Sequence, residues 1–276
     1  MFTLNCNGKL LVIDAPLVMG IINITSDSFY EKSRVNNSDD IFVLASKMID
    51  EGADIIDIGG QSSRPGSKAI EENEEMDKVL KTIHLILKHY PNCIISVDTY
   101  RSNIAKAAVE QGASMINDIS AGNLDAKMIT TVGKLNVPYI CMHMKGTPET
   151  MNNEAVYHDI TKEVIEYFIE KTSTCRAAGI KDIIIDPGFG FSKNIDQNFR
   201  LLKELDLLQI FELPILVGLS RKSTIYKTLD ITSEEALNGT TALNMLALNK
   251  GARILRVHDV KEAKEAVKLY TSYEKA

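Results

Sequence analysis

The sequence is short of the features that mark several whole classes of protein. Its 276 residues include four cysteines, Cys6, Cys93, Cys141 and Cys175, scattered and without a C-x-x-C pair. That usage does not fit a disulfide-stapled miniprotein and predicts buried, reduced thiols in a reducing cytoplasm. No apolar run approaches the roughly 18 residues that span a bilayer. The opening MFTLNCNGKLLVID has no basic segment leading into an apolar one, so neither a membrane anchor nor a leader is expected. Positive charge is not in excess: 31 Lys and Arg stand against 37 Asp and Glu, a formal net charge of −6. A globally acidic chain argues against a general nucleic-acid binder. It leaves room for an anionic small substrate, provided that cations gather in one site. Linkers rich in Gly, Ser or Pro and low-complexity tracts are absent too. The composition, 45% hydrophobic and 25% charged, is that of a folded chain, and the expectation is one domain over 1–276.

What is present is one unit, repeated. A short β-branched run ends in polar or glycine residues, and a stretch of helical periodicity usually follows. The runs are VMGIIN (18–23), DIIDIGG (54–60), IISVD (94–98), MINDIS (115–120), PYICMHM (138–144), DIIIDPG (182–188), PILVGLS (214–220) and ILRVHD (254–259). Their apolar parts are continuous rather than alternating, as in parallel strands covered on both faces. Between them, Ile41, Leu44, Ala45, Met48 and Ile49 follow helical spacing after Ser38. Met76, Val79, Leu80, Ile83 and Leu87 do so after Glu72, and Val164, Ile165, Phe168 and Ile169 after Thr161. The run Ala236 to Leu248 reads as a largely buried helix. Eight such units predict a (β/α)8 barrel, with Leu4–Asp14 as a hairpin closing its bottom. The rival is a doubly wound sheet, but its dinucleotide fingerprint is missing: after the first strand stands NITSDSF, not G-x-G-x-x-G.

In a barrel the chemistry lies at the C-terminal strand ends. Here those ends bring Asn23, Asp98, Asn117, His143, Asp186, Lys222, Arg256 and His258 to one mouth. A single Asp or Asn at a strand end is as readily a turn former or helix cap; the whole set is not. Asp98, Asn117, Asp186 and Lys222 suit a flat polar heterocycle read along its edges. An ionised Asp only accepts, so it matches an edge that presents N–H and NH2. Arg64, Arg221, Arg256 and His258 are candidate cations for phosphate or carboxylate. His143 lacks a second ligand at metal spacing and reads as pocket lining or core.

At these motifs the chain resembles the dihydropteroate synthases. MGIINITSDSFY, DIGGQSSRPGS, SVDTYR, INDISAG, MHMKGTPETM, DPGFGFSK, GLSRKS and RVHDV follow the family's order. The resemblance implies a barrel that joins 6-hydroxymethyl-7,8-dihydropterin diphosphate to p-aminobenzoate by an SN1-like substitution assisted by Mg2+. It implies catalytic roles for Asp98, Lys222, Arg256 and His258, and pterin contacts from Asp98, Asn117, Asp186 and Lys222. Phe29, Ser63, Arg64, Pro65, Phe191 and Ser223 would receive p-aminobenzoate. Asn23, Arg64, Arg256 and His258 would receive the diphosphate, with Asn23 also on Mg2+. Sulfonamides are implied as competitive inhibitors and a homodimer as the assembly. Two alternatives stay open: a catalytically silent pterin-binding paralogue, and a methyltransferase between methyltetrahydrofolate and a corrinoid. The chain departs from the family pattern at Ser26, Glu31, Gln61 and Ser63, where sulfonamide sensitivity and loop anchoring would change.

Overall fold

The computed structural model describes residues 1–24, 38–61 and 70–276. Phe29, Ser63, Arg64 and Pro65, with the departures at Ser26 and Glu31, lie outside the described residues.

The chain opens as an antiparallel hairpin, β1 (Phe2–Cys6) and β2 (Lys9–Ile13). Its turn is Asn7-Gly8, with φ of 54° and 83°, the left-handed pair that suits the twist of a two-residue hairpin. Eight parallel strands follow: β3 (Leu17–Asn23), β4 (Ile55–Gly59), β5 (Ile95–Asp98), β6 (Met115–Asp118), β7 (Tyr139–Met142), β8 (Ile183–Asp186), β9 (Leu216–Val217) and β10 (Ile254–Val257). Each falls on one of the eight β-branched runs. Hydrogen bonding orders them β8-β7-β6-β5-β4-β3-β10-β9, and a parallel bridge between Ile185 and Ile215 joins the two ends of the row into a ring. Outside lie α1 (Ser38–Asp50), α2 (Glu72–His89), α3 (Ser102–Glu110), α4 (Met128–Leu135), α5 (Ile160–Ala177), α6 (Ile195–Lys203), α7 (Ser223–Leu229), α8 (Leu237–Asn249) and α9 (Val260–Glu274). This is the (β/α)8 barrel that the sequence predicts.

Side chains alternate along each strand, and the two phases do different work. Val18, Ile22, Ile56, Ile58, Val97 and Ile116 point outward and form one core with Ala45, Met48, Val79, Ile83 and Ala105 of the helices. Met19, Ile55, Met115, Ile140, Ile184, Leu216 and Ile254 point inward and form a second core with Leu4, Cys6 and Ile13 of the hairpin. The hairpin thus caps the N-terminal end of the barrel. It is pinned there by hydrogen bonds from the Asn5 amide to Asp182 and from the Asn7 side chain to the carbonyls of Val109 and Ala113. Two residues further along β4, β6, β8 and β10 the inward positions are Asp57, Asn117, Asp186 and Arg256, and the mouth begins.

Two helices differ from expectation. The helix expected after Thr161 starts two residues earlier, at Ile160, because the Asp159 carboxylate caps it, accepting from the amides of Thr161 and Lys162 at 3.1 Å. Helix α8 is not largely buried: it turns Thr240, Asn244, Ala247 and Leu248 inward while Leu246 is 52% exposed. A helix in the outer ring shows one face to the sheet, and here that face carries two polar residues. All four cysteines are free thiols, three buried and Cys93 half-buried. No helix among the described residues is long and apolar enough to cross a membrane.

Candidate active site

The inward phase of β4, β5, β6 and β10 assembles the centre of the mouth. Arg256 donates from Nε to Asp57 Oδ2 at 2.7 Å and from Nη2 to Asp98 Oδ2 at 2.8 Å. Asn117 Nδ2 donates to the same Asp57 oxygen at 3.2 Å. Asp57 is fully buried (0% exposed), and its Oδ1 has no hydrogen-bond partner among the described residues. Burial opposes the Arg256 charge, yet the two carboxylates outweigh it and hold the guanidinium above its ordinary pKa. Burial pushes Asp98 up to about 7, against the pull of Arg256 and with the help of the neighbouring Asp57, Glu75 and Asp118 charges.

The second group sits on the turns after β8 and β9. Asp186 ends β8, and its Oδ1 accepts from the Gly188 amide at 2.8 Å. Burial raises its pKa, with the Lys222 charge and that amide opposing. Lys222 precedes α7 and donates to the Phe189 carbonyl at 2.6 Å, with its Nζ 4.7 Å from the centre of the Phe191 ring. Burial lowers it to about 8, although Asp186 favours its charge. Ser223, half-buried, opens α7.

His258 and Asn23 lie on the rim. His258 Nδ1 is 3.0 Å from Ser220 Oγ, and the His258 amide donates to that hydroxyl. Burial, reinforced by Arg256, pulls the imidazole down to about 3, so at neutral pH it is an uncharged hydrogen-bonding ring. A Cβ on Gly59 would stand 3.2 Å from Asn23 Oδ1 and 3.8 Å from Asp98 Cβ, so the missing side chain gives the Asn23 amide its place beside Asp98. Among the described residues no group of three or more His, Cys, Asp or Glu could hold a metal. A lone amide oxygen fits Mg2+ that arrives on phosphate oxygens and keeps its waters, and does not fit an ion caged by protein.

One sequence candidate turns elsewhere. Arg221, a candidate anion-binding cation, is buried and paired with Asp259 through Nε and Nη2 at 2.8 and 2.9 Å. Its Nη1 meets the carbonyls of Ser233 and Glu234. Its charge joins the turns that carry Lys222 and His258. Three other residues matter here without having been singled out as site residues. Asp57 lies inside the run DIIDIGG, and only the strand's phase shows that it faces the barrel. Gln61 donates to Tyr100 Oη at 2.8 Å and accepts from the Ile70 amide at 3.3 Å, tying together the two ends of the segment that holds Ser63, Arg64 and Pro65. Lys193, the last residue of DPGFGFSK, is buried.

Comparison with known proteins identifies the family. The pterin binding enzyme family model matches residues 19–258. The dihydropteroate synthase of Escherichia coli (strain K12) is 39% identical over 264 residues, 95% of this chain and 93% of that one. The crystal structure of the Yersinia pestis dihydropteroate synthase with a sulfonamide drug complex superposes with a TM-score of 0.96 at 36% identity, covering both chains fully. The Xanthomonas albilineans enzyme in complex with 7,8-dihydropteroate gives 0.86 at 32% identity over 99% of each chain. With identity of this order along nearly the whole chain and the polar mouth in place, the chain belongs to the dihydropteroate synthase family of pterin-binding enzymes.

Proposed function

We infer that this enzyme is a dihydropteroate synthase, a transferase of folate biosynthesis. It joins 6-hydroxymethyl-7,8-dihydropterin diphosphate to p-aminobenzoate, giving 7,8-dihydropteroate and diphosphate. The observation that carries the reading is the convergence of Asp98, Asn117, Asp186 and Lys222 on one barrel mouth, in a chain that matches dihydropteroate synthases along nearly its whole length. Asp186 would accept from the pterin ring N–H and its amine, Asn117 would read the neighbouring edge, and Lys222 would donate to the carbonyl and a ring nitrogen. Diphosphate falls to Asn23, Arg256 and His258, with Arg64. Arg256 is suited to this, since Nε and Nη2 are anchored on carboxylates while Nη1 has no hydrogen bond to a described residue. p-Aminobenzoate falls to Phe191 and Ser223, with Phe29, Ser63, Arg64 and Pro65, and sulfonamides to the same place.

The chemistry follows from these groups. The CH2–O bond breaks and its electron pair leaves with diphosphate. The exocyclic carbon becomes electron-poor, the dihydropterin ring spreads that charge, and the Asp98 carboxylate stabilises it through space. The aryl amine is neutral near pH 7, forms the new C–N bond with its lone pair and then sheds a proton, so no strong general base is required. Mg2+ held by Asn23 would offset charge on the leaving group. The protein's share is positioning and electrostatics within a dissociative, SN1-like path. We place this single-domain enzyme in the reducing cytoplasm, which the four free thiols suit. We take it as a homodimer, for which the half-exposed Leu246 on the outer face of α8 is a suitable contact.

The test is diphosphate release by the purified protein with dihydropterin diphosphate and Mg2+, with and without p-aminobenzoate. Release that depends on p-aminobenzoate and yields dihydropteroate is expected. Lys222→Ala and Asp186→Asn should each lower kcat/KM by about a hundredfold or more, the scale for a buried charged hydrogen-bond partner. Pterin binding without turnover would instead leave a silent barrel or a methyltransferase.

A further inference from the structure

The turn after β8 bears on both substrates, and a buried cation, Lys193, holds it. Lys193 is 9% exposed. Its Nζ lies 3.0 Å from the Gly188 carbonyl, 3.0 Å from the Phe191 carbonyl, 2.9 Å from His143 Nδ1 and 3.4 Å from the His143 carbonyl. None of these partners is a carboxylate, so the ammonium is held by carbonyl dipoles and a ring nitrogen. Burial keeps the His143 imidazole neutral, which leaves Nδ1 free to accept. The turn needs such a clamp. Gly188, Gly190 and Ser192 all have positive φ, of 69°, 79° and 47°, and a Cβ on Gly188 would overlap the His143 carbonyl.

The same short turn sets three groups of the mouth. The Gly188 amide holds the Asp186 carboxylate, the Phe189 carbonyl holds Lys222 Nζ, and the Phe191 ring lies under that ammonium. Asn198 closes the far side, accepting from the Gly190 amide and donating to the Lys193 carbonyl. Lys193 touches neither Asp186 nor Lys222, yet it grips the two carbonyls that bracket the turn. We propose that Lys193 is a positioning residue for the synthase reaction. It clamps the turn 187–192 to the end of β7 and so sets the pterin clamp (Asp186, Lys222) and the p-aminobenzoate wall (Phe191) together. The inference rests on the roles given above to Asp186, Lys222 and Phe191. Burial lowers Lys193 to about 7 even with Asp186 nearby, so its charge is labile in the working range. The groups facing it are His143 and Lys145 beyond β7, Asp186 at the end of β8 and Lys222 before α7.

The experiment compares wild type with Lys193→Met, measuring KM for each substrate, kcat and the unfolding midpoint. Wild-type turnover is measured first: its absence would remove the functional reading and this inference with it. Given wild-type turnover, folded Lys193→Met is expected to raise both KM values by about tenfold, the worth of one charge-assisted contact. A residue that only supports the fold would lower the midpoint and leave both KM values unchanged in the folded enzyme, and that result overturns the proposal alone. Should Lys193→Met not fold, Lys193→Arg, which keeps the charge in an ill-fitting shape, is expected to raise both values together by about threefold. A rise in one value only, or in neither, overturns the proposal.

Discussion

Asp98 and Lys222 meet the same dry surroundings with opposite consequences, and the pH dependence of the enzyme follows from them. The Asp98 pKa is pushed up to about 7, chiefly by burial, and the Lys222 pKa down to about 8, again chiefly by burial. Below the first value Asp98 takes up a proton and loses the charge that stabilises the electron-poor carbon. Above the second, Lys222 loses the proton with which it donates to the pterin. The kcat/KM profile of the free enzyme is therefore expected to be a narrow bell, with an acid limb near pH 7 from Asp98 and an alkaline limb between pH 7 and 8 to which Lys193 and Lys222 both contribute. Asp98→Asn should lower kcat by about a hundredfold and remove the acid limb, as rates from pH 5 to 10 would show. An acid limb that persists in Asp98→Asn would assign it to another group. Residue by residue, most of the mouth is legible because its members end β-branched runs, as Asp98, Asn117 and Asp186 do. Asp57 and Lys193 are hidden for different reasons. Asp57 is flanked by isoleucines, and the sequence does not show which phase of the strand faces inward. Lys193 follows a Gly-rich turn, where a lysine is ordinarily solvated, and only the fold brings three carbonyls around it.

The elements themselves follow from local chemistry more closely than their ends do. The eight strands are legible because β-branched runs bounded by Gly, Asp or Asn have few other uses in a chain of this composition. Helix starts are less so: Thr161 is as plausible a cap as Asp159 on paper, and the carboxylate wins because it meets two amides. The apolar content of α8 predicts more burial than the helix has, because composition says nothing about which face meets the sheet. Close contacts between elements are also invisible in sequence. Gly133 lies within α4, where a Cβ would overlap the carbonyl oxygen of Ala178, just beyond α5. Alanine is ordinarily the better helix former by about 1 kcal/mol. Here the overlap with backbone outweighs propensity, so Gly133→Ala is expected to destabilise by about 1–3 kcal/mol. Urea unfolding should show a lower midpoint with an unchanged slope, and kcat should stay at the wild-type value, since Gly133 lies near the C-terminal end of α4, against the turn after α5 rather than at the strand ends that form the mouth. A stabilised variant would mean that α4 and the Ala178 turn part without cost.

Across the whole molecule the barrel separates what holds it together from what it does. The inward layer at the N-terminal end is apolar and sealed by the hairpin, while the inward layer at the other end is charged. The two layers are two residues apart on the same strands: Ile55 below Asp57, Met115 below Asn117, Ile184 below Asp186, Ile254 below Arg256. A dry floor this close to the charges keeps their surroundings poor in water, which is why Asp98 and Lys222 are shifted at all. The hairpin is thus a stability element whose loss need not reach the chemistry, provided that the floor itself stays packed. Leu4, 2% exposed at the centre of that seal, tests the separation. Leu4→Ala removes buried side-chain volume and leaves a cavity beneath the floor, so it should cost about 2–5 kcal/mol. Chemical denaturation should report that loss as a lower midpoint. Steady-state rates well below the new melting range should give kcat and both KM values close to wild type, because among the described residues the hairpin packs on the floor and hydrogen-bonds to no mouth residue. If instead Leu4→Ala lets water into the floor, the Asp98 and Lys222 pKa values relax toward 3.8 and 10.5. The pH–rate bell then broadens on both sides. The width of that bell, measured beside the unfolding midpoint, therefore distinguishes a hairpin that only stabilises the barrel from one that also keeps its mouth dry.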